Sequence, residues 1–427
     1  MNVLESLKKK ICLRDLAKKF VGHDIFKKKS FWRVAVLLIF VFFCLYNFPY
    51  IYGKKTDDSS FYIASRGILS GTNIYDENEF YSLGDELFGK SVEFWPYLYS
   101  PVLAELLVPL ASKNYETFTV VWFILNLILG FACPVLTFYA VRRNKNVNYL
   151  LDIFLLCLCV MSFMFRYILK LGQVNFFVYL MIILSILFYR NKKSFLSSLM
   201  LAMAALIKSF PFIYLLYFLI IKDFKYIKQF ILSSFAIIFS SILIFGPEIW
   251  VKYLSFLTHN FISTEKTPFY LHYLGYQNNS SGRTILVQLF ESVNLPILKA
   301  NLIYLIIVLS IFIISLYVLF RDRRNMLHSF SLLSVTYLLI SPICWRHHYI
   351  LIMLPLIYII FSYVKNKLVV SIVALLATSI IFYYPLWAGF PFNAVILMSA
   401  VAIYLLLLFI KDKGESPIKN ASLMETI

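Results

Sequence analysis

The feature that most constrains this sequence is a series of long apolar runs separated by short clusters of lysine and arginine. A helix needs about 20 apolar residues to cross a bilayer, and several runs reach that length. The 427-residue chain is 61% hydrophobic and has a mean hydropathy of +0.78. Soluble domains are about 45–50% apolar. The sequence therefore predicts an all-α polytopic membrane protein.

The apolar runs predict about twelve transmembrane helices in a single domain over residues 31–410. The two runs on either side of Lys208–Pro211 are short, and one broken helix is an alternative interpretation of that pair. We expect helices at residues 32–51, 118–141, 149–165, 173–189, 195–208, 210–222, 228–246, 300–320, 327–343, 348–364, 368–385 and 393–410.

The distribution of charge predicts the orientation of the chain. A net charge of +18 is compatible with nucleic-acid binding. The cations, however, lie in short clusters between apolar runs, which is the positive-inside pattern of membrane proteins. We therefore expect no nucleic-acid partner. The basic tail 1–30 and the polar, disordered tail 411–427 are predicted to lie in the cytoplasm. The usage of lysine, isoleucine and phenylalanine suggests a bacterial genome, and hence a bacterial cytoplasmic membrane.

Two of the predicted outer loops are long, at residues 52–117 and 247–299. The first contains the apolar stretch 97–112, which is too short to span and is interrupted by prolines. It predicts an amphipathic helix at the outer interface. The inner loops are short and contain no glycine-rich phosphate-binding loop. We therefore expect the chemistry of the protein on the outer face.

Two adjacent carboxylates, Asp57 and Asp58, stand where the first apolar run ends. The aromatic Tyr62 and the cation Arg66 follow at about one-turn spacing. Solvated loop residues are one interpretation of the two aspartates. The alternative is that one of them is a general base for a lipid-linked substrate.

Three further polar groups are predicted on the same side of the membrane. Lys208 lies inside an apolar run, where a charge is costly and usually functional, although snorkelling to the surface also explains it. The segment 172–175 (GQVN) opens a helix and suits either an anion or simple capping. Residues 345–348 (WRHH) suit either an interfacial belt or phosphate binding. Neighbouring histidines on a helix point about 100° apart, so no metal site is expected.

Taken together, these motifs resemble glycosyltransferase family 87, a GT-C-class family of polyprenol-phosphate-sugar-dependent enzymes that includes mannosyltransferases. The resemblance covers residues 50–365, and the order and spacing of the motifs are more specific than any one of them. A second aspartate after the first departs from the family pattern. The motifs are carried by Asp57, Phe61, Tyr62, Ala64, Ile68, Leu69, Gly71 and Tyr75, then by residues 99–110, Trp122, Asn126, residues 172–175, Lys208, Pro211, residues 277–281, Arg283, Ser341, Pro342, Trp345, His347 and His348.

The resemblance implies a GT-C-type fold, a polyprenyl-phosphate-linked sugar donor, a lipid-linked glycan acceptor, inversion at the anomeric carbon, and no cofactor or metal. Asp57 is implied as the base, with Asp58 as the alternative and His347 orienting the carboxylate. The residues implied in binding donor phosphate or substrate are Tyr62, Arg66, Gln173, Asn175, Lys208, Asn279, Arg283, Arg346 and His348.

Two other functions remain open at this point. A flippase or transporter of lipid-linked sugars also needs an outer polar pocket, but many transporters are built from internal repeats and none is visible here. A polymerase or ligase of lipid-linked glycans shares the arginine and histidines but needs no early aspartate.

Overall fold

The computed structural model describes residues 29–49, 57–89, 94–142, 149–259, 279–362 and 392–409. Within these ranges the structure is all-helical and contains no β-strand. The α-helices, in chain order, are α1 (Lys29–Asn47), α2 (Asp57–Ser70), α3 (Glu77–Phe88), α4 (Pro101–Ala111), α5 (Tyr115–Val141), α6 (Tyr149–Val160), α7 (Phe163–Leu171), α8 (Asn175–Arg190), α9 (Ser194–Ile207), α10 (Leu215–Ile220), α11 (Phe224–Phe245), α12 (Glu248–Leu257), α13 (Gly282–Ser292), α14 (Ile297–Arg321), α15 (Met326–Ile340), α16 (Met353–Ser362) and α17 (Phe392–Phe409). Two 3-10 helices span Phe210–Tyr214 and Arg346–Ile352.

Among the described residues, three helices are long and apolar enough to cross a bilayer by themselves, namely α5, α11 and α14. Helices α6 and α7 form a fourth candidate if the bent pair, whose axes differ by 40°, is one span. The surfaces of α11 and α14 that face away from the rest of the protein carry exposed apolar side chains such as Leu243 and Leu298. Continuous apolar surface of this kind requires lipid or a partner. The chain is a multi-pass membrane protein.

The predicted number of about twelve spans is not confirmed. The predicted helix 149–165 is divided, because the Ser162 side chain caps α7 by accepting a hydrogen bond from the Phe165 N–H. The predicted helix 210–222 is a short 3-10 helix followed by the six residues of α10. Proline lacks an N–H donor and favours such a helix start, and Pro211 occupies it. Short turns therefore divide runs that read as continuous in the sequence.

Several predictions fall on residues outside the described ranges. These are the helix 368–385, the tail 411–427, nearly all of the tail 1–30, and residues 260–278 of the second predicted outer loop.

Helix α4 differs from the amphipathic interfacial helix predicted for residues 97–112. Its consecutive residues Val102, Leu103, Ala104 and Glu105 are all buried. Four consecutive residues face every side of a helix, so this part of α4 is surrounded by protein. It packs against α2 and α11.

The packing of the helices brings three connecting segments together. Helix α8 lies against α5 and α9, and α9 lies against α11. Helix α15 packs against α14, α16 and α17. The 3-10 helix Arg346–Ile352 contacts α7, α8, α15 and α16, and so joins the two groups. The turn before α8, the end of α9 and this 3-10 helix therefore meet.

Candidate functional site

A tight turn at Gly172 supports one side of the site. Gly172 ends α7 in the left-handed conformation, with φ of 71°, which glycine adopts without steric cost. Trp122 Nε1 donates a 2.6 Å hydrogen bond to the Gly172 carbonyl oxygen. A Cβ atom on Gly172 would lie only 2.7 Å from Cβ of Asp58. The turn therefore packs directly against the start of α2.

Lys208 extends into the site from the end of α9. It follows the last helical residue, and its side chain is only 9% exposed. The Nζ atom donates a 2.7 Å hydrogen bond to Oδ1 of Asn175 and lies 3.5 Å from Oε1 of Gln173. It also lies 5.1 Å from the ring centroid of Tyr99, within cation–π range. These contacts offset part of the cost of burying an ammonium group.

Asp57 is the first residue of α2 and faces Gln173 and Lys208. The Gln173 amide and the Lys208 ammonium group both favour the ionised form of the Asp57 carboxylate. Burial nevertheless raises the pKa of Asp57 to about 7, and the neighbouring Asp58 adds to this rise against the opposing effects of Lys208 and Gln173. Asp57 as a residue is half-buried. It is therefore a partly exposed residue at the start of α2 whose carboxyl pKa lies near neutral pH.

Asp58 lies on a different side of α2. Consecutive residues on a helix point about 100° apart, and the carboxylate of Asp58 faces α5. Tyr115 Oη donates a 3.1 Å hydrogen bond to Oδ1, and Thr119 Oγ1 donates a 2.6 Å hydrogen bond to Oδ2. The side chain is fully buried. These contacts fix the position of α2 against α5 and favour Asp57 as the residue that meets a substrate.

His347 and His348 belong to the 3-10 helix Arg346–Ile352, which lies against the start of α8. Nδ2 of Asn175 donates a 3.0 Å hydrogen bond to the carbonyl oxygen of His347, which ties the 3-10 helix to the start of α8. The rings of His347 and His348 lie 4.6 Å apart and perpendicular, and the positive charge of Lys208 acts on both. Both side chains are buried, and within the described ranges neither Nδ1 has a hydrogen-bond partner. Each Nδ1 thus has an unmet hydrogen-bonding capacity within these ranges.

Asn279 supports the histidine segment from the second predicted outer loop. It is fully buried and forms an isolated β-bridge with Trp345. Its Oδ1 accepts a 2.9 Å hydrogen bond from the Cys344 N–H, and its Nδ2 donates to the Pro342 carbonyl oxygen at 3.3 Å. These backbone contacts position the chain that leads into Arg346. That Asn279 also binds substrate stays a prediction.

Four predicted site residues remain, namely Tyr62, Arg66, Arg283 and Arg346. Tyr62 is buried and donates a 3.0 Å hydrogen bond to the Lys113 carbonyl oxygen, and its ring lies 5.4 Å from that of Tyr115 on α5. Arg66 is half-buried and lies about 13 Å along α2 from Asp57 at 1.5 Å per residue. Arg283 is half-buried on α13, where its charge acts on Tyr304. Arg346 is buried at the start of the 3-10 helix, beside His347.

Sequence reasoning missed the role of Tyr99. Its hydroxyl donates a 3.0 Å hydrogen bond to Oε1 of Gln173, and its ring faces Lys208. Tyr99 thus joins the start of α4 to the site. The sequence does indicate that Tyr99 lies at the start of a helix, because Ser100 and Pro101 follow it directly. A tyrosine at a membrane interface is, however, commonly an anchor, and this interpretation hides its contact with the site.

The arrangement combines the carboxylate of a partly exposed residue, a buried ammonium group and two imidazoles. Such a site can accept a proton from a hydroxyl and stabilise a leaving anion. The described residues contain no group of three or more histidine, cysteine, aspartate or glutamate side chains arranged to hold a metal ion.

The family model described as glycosyltransferase family 87 matches residues 97–342, more than half of the 427 residues. This range includes Tyr99, Gln173, Asn175 and Lys208. Asp57 lies before it, and His347 lies after it. No curated protein matches the chain.

Proposed function

The chain belongs to glycosyltransferase family 87, and from this premise we propose that it moves a hexose or pentose, mannose-like in our interpretation, from a polyprenyl-phosphate donor to a hydroxyl of a lipid-linked glycan. That it is a membrane glycosyltransferase follows from the family and the apolar helices. The observation that carries the finer proposal is the position of Asp57. The carboxylate of this partly exposed residue lies beside Lys208 and Gln173, in the same site as two imidazoles with unpartnered nitrogens.

Asp57 is the proposed general base. A base works best when its pKa lies near the working pH, because it is then ionised and still accepts a proton readily. Burial raises the pKa of Asp57 to about 7. Its partial exposure leaves room for an acceptor hydroxyl to approach. Asp58 is proposed to hold α2 in place, since Tyr115 and Thr119 both bind its carboxylate.

Lys208, Arg346, His347 and His348 are proposed to bind the donor phosphate. A buried polar atom without a hydrogen bond costs about 1–3 kcal/mol, and the Nδ1 atoms of both histidines are in this state within the described chain. A phosphate oxygen would accept a hydrogen bond from a protonated Nδ1. Cations aimed at developing negative charge have their greatest effect where water is excluded.

The proposed reaction is a single displacement. The acceptor hydroxyl gives its proton to Asp57 as its oxygen bonds to the anomeric carbon from the face opposite the phosphate. The bond between that carbon and the phosphate oxygen breaks, and its electron pair leaves with the polyprenyl phosphate. One displacement inverts the anomeric centre. The cationic side chains supply the charge stabilisation, and we propose that no metal ion takes part.

The proposed setting is the bacterial inner membrane, with both termini in the cytoplasm and the site on the outer face. The basic segments between apolar runs support this orientation. Single cysteines at two exposed positions test it in a background without native cysteines. Ser255 is exposed on α12, and Lys192 is exposed between α8 and α9. An impermeant maleimide added to intact cells should label Ser255→Cys and spare Lys192→Cys. The opposite pattern would overturn the orientation.

Transfer itself is tested with purified protein, a panel of polyprenyl-phosphate sugars and lipid extract. The parent should form a labelled glycolipid with at least one donor, and Asp57→Asn should lose transfer by about 10²–10⁴-fold while still binding donor. Asp58→Asn, at a temperature where it remains folded, should keep most of the rate. Transfer that is indifferent to Asp57→Asn would place the base elsewhere. If donor is not consumed but labelled lipid-linked sugar moves from one leaflet to the other in vesicles, the protein is a flippase and the proposed transferase function is wrong.

A further inference from the structure

A cluster of aromatic side chains continues from the site toward α12. The Tyr99 ring lies 5.6 Å from the Tyr97 ring, and Tyr97 lies 5.9 Å from Tyr75. Tyr75 in turn lies 5.2 Å from Tyr253 and 5.5 Å from Phe256. These five residues come from both predicted outer loops. They connect Lys208, which faces Tyr99, to the surface of α12.

The outer members of this cluster keep exposed ring surface. Tyr75, Tyr253 and Phe256 are each half-buried, whereas Tyr97 is only 1% exposed. Helix α12 has no buried residue and packs against α4. The Tyr75 hydroxyl donates a 2.9 Å hydrogen bond to the carbonyl oxygen of Tyr99, which fixes the exposed rings relative to the site.

A buried carboxylate lies near the same cluster and is linked to it through Trp250, whose ring lies 6.0 Å from that of Tyr253. Glu105 on α4 is 9% exposed, and its charge acts on the hydroxyls of Tyr75 and Tyr97. Its Oε1 accepts a 2.6 Å hydrogen bond from Ser241 Oγ, which itself accepts a 2.6 Å hydrogen bond from Trp250 Nε1. That is the only hydrogen bond the carboxylate makes within the described residues. A carboxylate has about four acceptor sites, so Oε2 remains open to a donor.

Aromatic faces beside a carboxylate suit a sugar ring. The C–H face of a sugar packs on an aromatic ring, and its hydroxyls donate charge-assisted hydrogen bonds to a carboxylate. Ligand sites typically combine apolar walls with a few polar groups that set orientation. Resting on the proposed function, we propose that Tyr75, Tyr253, Phe256 and Glu105 bind a sugar ring of the acceptor glycan. This acceptor site lies next to the reacting centre and is distinct from the phosphate-binding residues.

Glycoside binding tests the proposal without requiring turnover. The Asp57→Asn protein in nanodiscs is titrated with radiolabelled octyl mannoside, octyl glucoside and octyl galactoside. Displacement by the corresponding methyl glycosides separates binding of the sugar from partitioning of the alkyl chain into lipid. We expect saturable, displaceable binding of at least one glycoside. Phe256→Ala and Glu105→Gln, made in the same background, should each weaken it by about tenfold, equivalent to about 1.4 kcal/mol.

Leu254→Ala is the matched control, because Leu254 lies on the same helix and is 56% exposed. It should leave the affinity within about twofold of the parent. Phe256→Ala changes a half-buried ring and is expected to fold, and thermal unfolding of each variant checks this. No displaceable binding, or equal affinity in all variants, would overturn the acceptor site. Transfer by the parent enzyme is measured in parallel. Transfer without glycoside binding overturns the acceptor site alone, whereas glycoside binding without transfer overturns the proposed function and leaves a sugar-binding site.

Discussion

Thr119 Oγ1 donates a 2.6 Å hydrogen bond to Oδ2 of Asp58, and this contact ties the first turn of α2 to α5. Because the carboxylate is fully buried, loss of one donor leaves a buried acceptor less satisfied, at a cost of about 1–3 kcal/mol. We expect both Thr119→Val and Asp58→Asn to lower the unfolding temperature measured by tryptophan fluorescence in detergent. The double variant should lose less than the sum of the two, because they remove one shared interaction. Unchanged unfolding temperatures would show that Asp58 does not hold α2.

Gly172 provides a second test of the contact between the turn and α2. Alanine there faces two penalties, a left-handed backbone with φ of 71° and a Cβ only 2.7 Å from Cβ of Asp58. Gly71 has nearly the same conformation, with φ of 75°, but nothing lies within 4 Å of an added Cβ. Gly71→Ala should therefore cost only the backbone strain, about 1–2 kcal/mol. Gly172→Ala should lower the unfolding temperature further and also reduce transfer.

Equal losses in the two glycine variants would contradict close packing of Gly172 on Asp58. Asp58→Gly removes both the Cβ atom that an alanine at 172 approaches at 2.7 Å and the carboxyl carbon at 3.0 Å. If the clash is real, Asp58→Gly should lower the unfolding temperature less in the Gly172→Ala protein than in the parent.

The sequence predicted which polar residues lie close together better than it predicted where their side chains point. Lys208, Gln173, Asn175 and His347 were all expected on one side of the membrane, and the structure brings them together. Charges and amides inside apolar runs are informative because burying them is costly.

The choice between Asp57 and Asp58 could not be read from the sequence. It depends on the rotation of α2 about its axis, which is set by Tyr115 and Thr119, about 60 residues away in the chain. Glu105 was missed for a different reason. It stands in the apolar stretch 97–112, which was predicted to lie at the interface, where a carboxylate needs no partner. The structure buries that turn of α4, and a buried carboxylate needs a hydrogen-bond partner.

Lys208 offers a test of phosphate binding. Lys208→Met keeps an unbranched side chain of similar length but removes the ammonium group, so we expect the KM for the polyprenyl-phosphate donor to rise by about 10–100-fold, consistent with a charge-assisted contact of about 1.5–3 kcal/mol. Lys170→Met is the matched control, because Lys170 is an exposed cation in the last turn of α7. An equal rise in KM for both variants would indicate a general effect of charge on donor binding.

Chelation tests the proposal that no metal takes part. In the proposed reaction, the cationic side chains around Lys208 supply the positive charge that stabilises the leaving phosphate. Transfer should therefore be unchanged after dialysis against EDTA and unaffected by added Mg²⁺ or Mn²⁺. A rate that falls with EDTA and recovers with one of these ions would require a metal in the reaction.

The pH dependence of transfer follows from Asp57. A base must be ionised, and the pKa of Asp57 is raised to about 7, mainly by burial. The rate should therefore fall about tenfold per pH unit well below pH 7. Lys208 lowers the pKa of this carboxylate by attraction, so Lys208→Met should move the midpoint of the profile to higher pH. Profiles are measured at saturating donor for each variant, so that weaker phosphate binding does not distort the midpoint. A midpoint that stays fixed in Lys208→Met would mean that the titrating group is not beside Lys208, and Asp57 would then not be the base.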